Sequence, residues 1–313
     1  MRTADSGRFA FYDVDGPQFI LEDHGWRRRQ TLIAVPAGPG FSHKTLRPWL
    51  TGLASTVRTV YVDLPGSGRA SREPQADFTF PAFVQDLDAV RSRVDSQKPV
   101  ILGHGWGAAL AIEYALARPA HVSALVLVSP LRYFNISSQD IDAQVRQVER
   151  TDPSLGPRFA RDVMPAFEAA MTGRGPWEPV ENSRWWSEML LTQFVRPPPK
   201  AWFTSLGNEP WGIRAYAAYK GATIARAAHP IASYDLALRA SELRRGLPVL
   251  IVSSNHDANY VARAETNAAP LHQAISASDL LIWDDVGHFP FVERPEEFVA
   301  AITGFLARRA DTQ

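Results

Sequence analysis

The chain has 313 residues, of which 45% are hydrophobic and 21% charged, and its 33 basic residues balance its 33 acidic ones. This balance leaves no basic surplus to draw the protein onto nucleic acid or an anionic membrane, so the expected partner is a small, partly apolar molecule. The absence of cysteine excludes disulfides, zinc–thiolate sites and thiol nucleophiles.

The beginning of the chain shows no charged start followed by an apolar run. No stretch approaches the roughly 18 apolar residues that span a bilayer. We therefore expect neither an export signal nor a membrane anchor, and a cytoplasmic location. The sequence leaves the oligomeric state open.

The predicted elements alternate between strands and helices. The first is a β-hairpin, in which segments 8–13 and 18–23 flank Asp15-Gly16, a pair that tolerates positive φ in turns. Apolar runs then predict strands at Thr31–Pro36, Thr59–Asp63, Pro99–Gly103, Val122–Ser129, Pro248–Ser253 and Asp279–Trp283. Segments with helical period lie at Phe80–Val94, Ala108–Arg118 and Pro295–Arg308. This alternation indicates an α/β fold with a mostly parallel, doubly wound sheet that begins at an antiparallel edge.

The alternation stops between residues 131 and 236, where the sequence is rich in tryptophan and proline. We interpret 131–236 as an inserted, mainly helical cap on one core domain, formed by 1–130 and 237–313, because the flanking strands belong to one sheet. Five of the nine tryptophans lie in it: Trp177, Trp185, Trp186, Trp202 and Trp211. They either line an aromatic substrate pocket or form the cap's own core.

The segment with the clearest chemical meaning is Gly103-His104-Gly105-Trp106-Gly107, which joins the strand Val100–Leu102 to the helical segment after it. Small residues at both ends of this segment allow a sharp strand-to-helix turn, which raises residue 105 above the sheet at a helix N-terminus. That position suits a nucleophile. Gly105 has no side chain with which to attack.

Two further motifs accompany this elbow: Pro36-Ala37-Gly38-Pro39-Gly40 and Asp63-Leu64-Pro65-Gly66-Ser67-Gly68-Arg69. With them the chain resembles the α/β-hydrolase superfamily, and within it the proline iminopeptidase branch, over nearly the whole sheet domain. That branch has His-Gly-Gly-Pro-Gly, Asp-x-x-Gly-x-Gly and Gly-x-Ser-Trp-Gly at these three places. Gly105 thus stands at the position of its serine.

The elbow is also similar to the Gly-His-Asp-Trp-Gly of epoxide hydrolases and haloalkane dehalogenases. The lost side chain is therefore either serine or aspartate. The Gly38-Pro39-Gly40 segment, which follows the first parallel strand, favours the iminopeptidase branch.

The resemblance also implies a catalytic acid and base. His288, directly after the last strand, has the context of the family's general base. Asp257 follows the penultimate strand, from where a carboxylate can accept the imidazole N–H, fix its tautomer and stabilise its charged form. By analogy, the backbone N–H groups of Gly38 and Trp106 form an oxyanion hole. The alternative is that Asp257 and His288 cap local turns and that Gly38 belongs to a plain tight turn.

No metal or cofactor is expected, because the remaining histidines lack the spacing of metal ligands. We interpret His104 as a buried structural residue of the elbow.

A glycine at residue 105 closes the covalent route, because neither an acyl-enzyme nor an alkyl-enzyme forms without an attacking atom. Three explanations stay open. The glycine was engineered into an intact amide or ester hydrolase; the protein is a natural enzyme, a hydrolase, lyase or isomerase, in which His288 acts as general base; or it is a binding protein that kept the pocket without the chemistry.

Overall fold

The computed structural model describes residues 7–38, 41–71, 78–132, 234–257 and 264–310, together with the single positions 146, 149, 157 and 161. Most of the predicted cap, and all five of its tryptophans, lie outside the described residues. The cap, its boundaries and a substrate role for Trp177, Trp185, Trp186, Trp202 and Trp211 therefore stay predictions.

The fold is built on nine described strands, whose bounds are β1 Phe11–Asp15, β2 Phe19–Glu22, β3 Gly25–Arg28, β4 Thr31–Val35, β5 Arg58–Asp63, β6 Val100–His104, β7 Ala124–Val128, β8 Val249–Ser254 and β9 Ser278–Trp283. Seven of them form one sheet in the order β1-β5-β4-β6-β7-β8-β9. Strands β4 to β9 pair in parallel, and β1 pairs antiparallel with β5 at the edge. The predicted mostly parallel sheet with an antiparallel edge is confirmed.

Helices cover both faces of this sheet. Their bounds are α1 Arg47–Leu50, α2 Phe80–Arg93, α3 Trp106–Ala117, α4 Leu236–Ala240, α5 Ala268–Ala274, α6 Pro290–Glu293 and α7 Pro295–Ala310. Ile33 and Val35 of β4 pack in the cluster that contains α2 and α3, whereas Leu32 and Ala34 pack in the cluster that contains α6 and α7. This alternation follows from the two-residue period of a strand, and it explains why β4, β6, β7 and β8 are buried at every position.

Within the described ranges, no helix is both long enough and apolar enough to cross a bilayer.

The predicted opening hairpin is wrong. Segment 8–13 does not pair with 18–23, because β1 pairs with β5 while β2 and β3 form a separate two-stranded sheet. Tyr12 and Val14 of β1 pack against the core, and this burial favours pairing with β5 over a hairpin exposed to water. Asp15-Gly16 is still a turn, with φ of +85° at Gly16, but it leads the chain out of the large sheet.

Two positions of the elbow must be glycine, because a side chain at either one would collide with backbone atoms. A Cβ atom at Gly103 would overlap the carbonyl group of Gly107, and one at Gly107 would lie 2.5 Å from the carbonyl oxygen of Pro36. Both neighbours are backbone atoms held by the sheet and by α3. We expect Gly103→Ala to lower the free energy of unfolding by about 1–3 kcal/mol, as overpacking does elsewhere.

Chemical denaturation measures this effect, and Gly304→Ala is the matched control. In α7 the added methyl group would meet only the end of the Arg308 side chain, at 3.7 Å. A helical glycine replaced by alanine gains about 0.5–1 kcal/mol, so the control should be stabilised. An equal change in the two variants would contradict the packing argument.

Candidate active site

The predicted site residues lie beyond the carboxyl ends of the parallel strands. Gly38 follows β4, Gly105 follows β6, Asp257 follows β8 and His288 follows β9. The carboxyl ends of parallel strands share one edge of a sheet, and this edge is where open α/β folds place their ligands. The topology thus brings together residues that are far apart along the chain.

Gly105 forms a strand-to-helix turn with an unusual backbone. Its φ and ψ are +54° and −117°, and Trp106 begins α3 directly after it. Its N–H donates to the carbonyl oxygen of Val128, 2.9 Å away. Residues with side chains reach such φ/ψ values only under strain, whereas glycine adopts them readily. The turn has the strand–turn–helix form of a nucleophile elbow and no side chain at its tip.

His288 and Asp257 form a buried hydrogen-bonded couple. Nδ1 of His288 lies 2.8 Å from Oδ2 of Asp257, and each side chain is 1% exposed. A carboxylate in this position accepts the Nδ1–H, so the lone pair that can take a proton is on Nε2. This nitrogen faces the elbow, because a Cβ atom at Gly105 would lie 3.1 Å from it.

The loop that carries His288 is held by groups that the sequence analysis did not identify. The Gly287 N–H donates to Oε1 of Glu293, 2.7 Å away, and the Ser254 hydroxyl donates to the Val286 carbonyl. Neither Glu293 nor Ser254 belongs to a motif identified in the sequence analysis. Their role depends on contacts across the loop, for which the sequence carries no local signal.

His104 lies under the couple as a fully buried residue, in agreement with its interpretation as structural. Its Nε2 lies 2.9 Å from the carbonyl oxygen of His288, and the two rings are 4.6 Å apart. Burial, followed by the nearby charge of His288, holds the pKa of His104 well below its ordinary value of 6.5. His104 is therefore neutral and donates from Nε2, which holds the backbone of His288 in place.

This neutral histidine makes folding stability depend on pH on the acid side. The pKa of His104 is lower in the folded than in the unfolded protein, so below about pH 6.5 the unfolded state binds a proton that the folded state does not. The free energy of unfolding then falls by about 1.4 kcal/mol per pH unit as the pH decreases. We expect His104→Gln to remove this part of the slope.

Denaturation between about pH 7 and pH 5 measures the slope. His24→Gln is the control, because His24 lies in an exposed turn. The control should keep the slope of the original protein. An unchanged slope in His104→Gln would show that other groups cause the acid sensitivity.

The predicted oxyanion hole is not formed in this structure. The Trp106 N–H donates to the carbonyl oxygen of Ala37, 3.1 Å away. The described residues contain no cis peptide bond, and in a trans peptide the C=O and N–H groups point in opposite directions. The Ala37–Gly38 peptide therefore directs the Gly38 N–H away from Trp106. The Gly38 and Trp106 N–H groups therefore do not converge in this structure, and the predicted oxyanion hole stays a prediction.

A cluster of aromatic side chains lies beside the elbow. The indole of Trp106 stacks on Phe80 with ring centroids 5.4 Å apart and makes an edge contact with Phe83 at 5.2 Å. Tyr234 packs on Phe80 in turn, at 5.0 Å. Trp106 and Phe83 belong to the buried core cluster beside α2 and α3, and Phe80 and Tyr234 pack against it.

Asp63 explains the second glycine motif. Its Oδ1 accepts the backbone N–H of His43 at 2.6 Å and lies 2.9 Å from Nδ1 of the same residue, while Oδ2 accepts the N–H of Arg69 at 2.9 Å. A Cβ atom at Gly68 would overlap this carboxylate. One buried side chain thus ties the loop after β4, which contains Ala37, to the loop after β5.

A mostly parallel sheet, an elbow after a central strand and an acid–histidine couple at the carboxyl edge define the α/β-hydrolase architecture. The sequence matches the profile of the alpha/beta hydrolase family over residues 24–301. The chain belongs to that family.

Known relatives agree with this assignment. The chain is 24% identical to the proline iminopeptidase of Saccharolobus solfataricus over 282 residues, which cover 88% of this chain and 84% of that protein. It is 22% identical to the proline iminopeptidase of Heyndrickxia coagulans over 306 residues, or 95% and 97% of the two chains. The solved proline iminopeptidase of Mycobacterium smegmatis has a TM-score of 0.68 at 20% identity, covering 96% of this chain and 94% of that one. The predicted resemblance to the iminopeptidase branch is confirmed.

Proposed function

We propose that this protein is an acid–base enzyme without a nucleophile, in which His288 moves a proton on a small, partly apolar molecule and no covalent intermediate forms. One observation carries the proposal: the Ala37 carbonyl accepts the Trp106 N–H, while the Asp257–His288 couple is intact. Covalent hydrolysis needs an attacking side chain and converging N–H donors, and both are missing. Proton transfer needs a base held by a carboxylate, and this couple is complete.

The departures from the iminopeptidase pattern cluster around one point, which favours a natural site over an engineered one. Besides Gly105, they are Pro36 and Ala37 in place of His-Gly. The methyl carbon and the carbonyl oxygen of Ala37 lie 3.5 and 3.3 Å from where a Cβ atom at Gly105 would be. An experimenter's replacement of one serine would not have changed the neighbouring loop.

The chemistry of the couple favours proton transfer over acyl transfer. Nε2 of His288 accepts a proton, and the Asp257 carboxylate stabilises the imidazolium that results. Acyl transfer builds negative charge on an oxygen that needs converging donors, but the carbonyl oxygen of Ala37 would repel that charge. Abstraction of a proton from carbon in an elimination places the developing negative charge on the leaving group instead of on a tetrahedral oxyanion.

The similarity to proline iminopeptidases favours serine over aspartate as the ancestral side chain. The proposed activity thus derives from a serine hydrolase ancestor rather than from an epoxide hydrolase or a haloalkane dehalogenase.

Turnover of 5-nitrobenzisoxazole tests the proposal without knowledge of the natural substrate. A base removes the C–H proton of this compound, its N–O bond breaks, and 2-cyano-4-nitrophenolate forms, with no nucleophile involved. We expect the protein to catalyse this reaction above the rate in buffer and His288→Ala to fail. A protein that binds the probe tightly and never turns it over would instead be a binding protein.

A further inference from the structure

Ser129 is a second polar residue at the carboxyl edge, outside the couple described above. It is 1% exposed and directly follows β7. The register of the sheet pairs Val128 with His104 of β6 on one side and with Val252 of β8 on the other. Ser129 therefore lies one residue beyond this row, on the strand next to Gly105.

Backbone hydrogen bonds fix the place of Ser129. The carbonyl oxygen of Val128 accepts the Gly105 N–H at 2.9 Å, and the Ser129 N–H donates to the carbonyl oxygen of Val252 at 2.8 Å. One peptide unit thus connects β7 both to the elbow and to β8. The serine side chain takes no part in these bonds.

The backbone of Ser129 is strained. Its φ is +44°, and the other described non-glycine residues with positive φ are Asp95 and Asp285. Aspartate is several-fold enriched in this region, whereas serine is not. Glycine fills the remaining positive-φ positions of the described residues, and a glycine at 129 would remove the strain.

The hydroxyl of Ser129 adds a second unfavourable feature. Its oxygen is buried and has no hydrogen-bond partner among the described residues, although a buried polar group without a partner costs stability. Glycine would remove this cost as well. A residue that is unfavourable in both respects, at the edge of the site, is expected to serve function rather than folding.

We propose that the Ser129 hydroxyl binds ligand in the active site, where it donates a hydrogen bond to an oxygen atom (carbonyl, hydroxyl, ring or nitro) of the molecule on which His288 acts. The proposal rests on the proposed function in taking the space beside Gly105 as the binding site. It assigns Ser129 to binding and leaves the proton transfer to His288.

Kinetics and stability of Ser129→Ala and Ser129→Gly test the proposal. We expect KM for 5-nitrobenzisoxazole to rise about fivefold to tenfold, the effect of one lost hydrogen bond, while kcat changes little. In Ser129→Gly we also expect Tm to rise by about 2–4 °C, because strain and an unpaired hydroxyl are both removed. Ser123→Ala is the control, since Ser123 lies at the amino end of β7, and KM should not change there.

Binding of the product, 2-cyano-4-nitrophenol, separates this proposal from the proposed function, because binding needs no proton transfer. Calorimetry should show weaker binding in both Ser129 variants. If the protein shows no turnover that depends on His288 but product binding still depends on Ser129, the proposed function fails and the ligand role stands. If KM and product affinity are unchanged in Ser129→Gly, the ligand role is overturned, whether Tm rises or falls.

Discussion

Gly105→Ser alone is expected to react with a fluorophosphonate probe about a hundredfold or more slowly than the triple variant Pro36→His, Ala37→Gly, Gly105→Ser. Both proteins contain a serine beside the Asp257–His288 couple. They differ in whether the loop after β4 can present a donor, and the loss of one oxyanion-hole donor costs about 10²- to 10³-fold in rate.

Contacts around the elbow explain why the single variant is handicapped. A Cβ atom at residue 105 would lie 3.1 Å from Nε2 of His288 and 3.3 Å from the carbonyl oxygen of Ala37. Both distances are tighter than ordinary contacts, so the imidazole and the loop must shift to admit a side chain. Trp106 meanwhile donates its N–H to Ala37. Glycine at residue 37 removes the methyl group that lies 3.5 Å from the new Cβ and lets the peptide turn.

The control for this experiment is Gly105→Ala, which introduces the same Cβ atom without a hydroxyl. Both single variants should lose about 1–3 kcal/mol of unfolding free energy, because a side chain at this φ and ψ is strained. Only variants with serine should be labelled, as intact mass will show. Equal labelling rates in the single and triple variants would mean that the Ala37 carbonyl does not block the oxyanion site.

Turnover of 5-nitrobenzisoxazole is expected to fall about 10²- to 10⁴-fold in His288→Ala, the range attributed to a positioned general base. Asp257→Asn should cost about 10²-fold or more, although it preserves the shape of the site. An amide can donate to Nδ1 and so stabilise the tautomer with its proton on Nε2, and it cannot stabilise the imidazolium.

Initial rates of product formation, measured with excess probe, compare the two variants with the original protein. His24→Ala is the matched control, because His24 is exposed and should leave the rate unchanged. Intact mass during turnover should show no adduct on the protein. A rate that is the same in His288→Ala and in the original protein would exclude His288 as the base.

Local patterns were sufficient to predict the frame of the site. Gly103 and Gly107 mark the elbow because each lacks the Cβ atom that would collide with backbone, and this requirement is visible as a spacing of glycines. Asp257 and His288 each follow an apolar run that forms a parallel strand, and the resemblance to the hydrolase family is what singled them out. The structure then placed these two side chains 2.8 Å apart.

Pairing between segments that are distant along the chain explains why the predicted opening hairpin was wrong. The two halves of the predicted opening hairpin have the composition of paired strands, but β1 gains more burial against β5 than against its neighbour in sequence. Glu293 and Ser254, which hold the His288 loop, could not be predicted for the same reason, because hydrogen bonds across loops produce no recognisable spacing of residues in the sequence.

The sequence by itself predicted a mostly parallel α/β sheet from strand periodicity and showed that residue 105 has no attacking atom; its resemblance to the iminopeptidase branch added the expectation of an acid–histidine pair. Only the tertiary structure decided that the Ala37 peptide presents its carbonyl to Trp106 and that Ser129, beside the elbow, is strained and has a hydroxyl without a partner in the described part of the chain. The physical reason is that a peptide's orientation and a buried hydroxyl's partners depend on atoms from several strands at once. No local pattern encodes them.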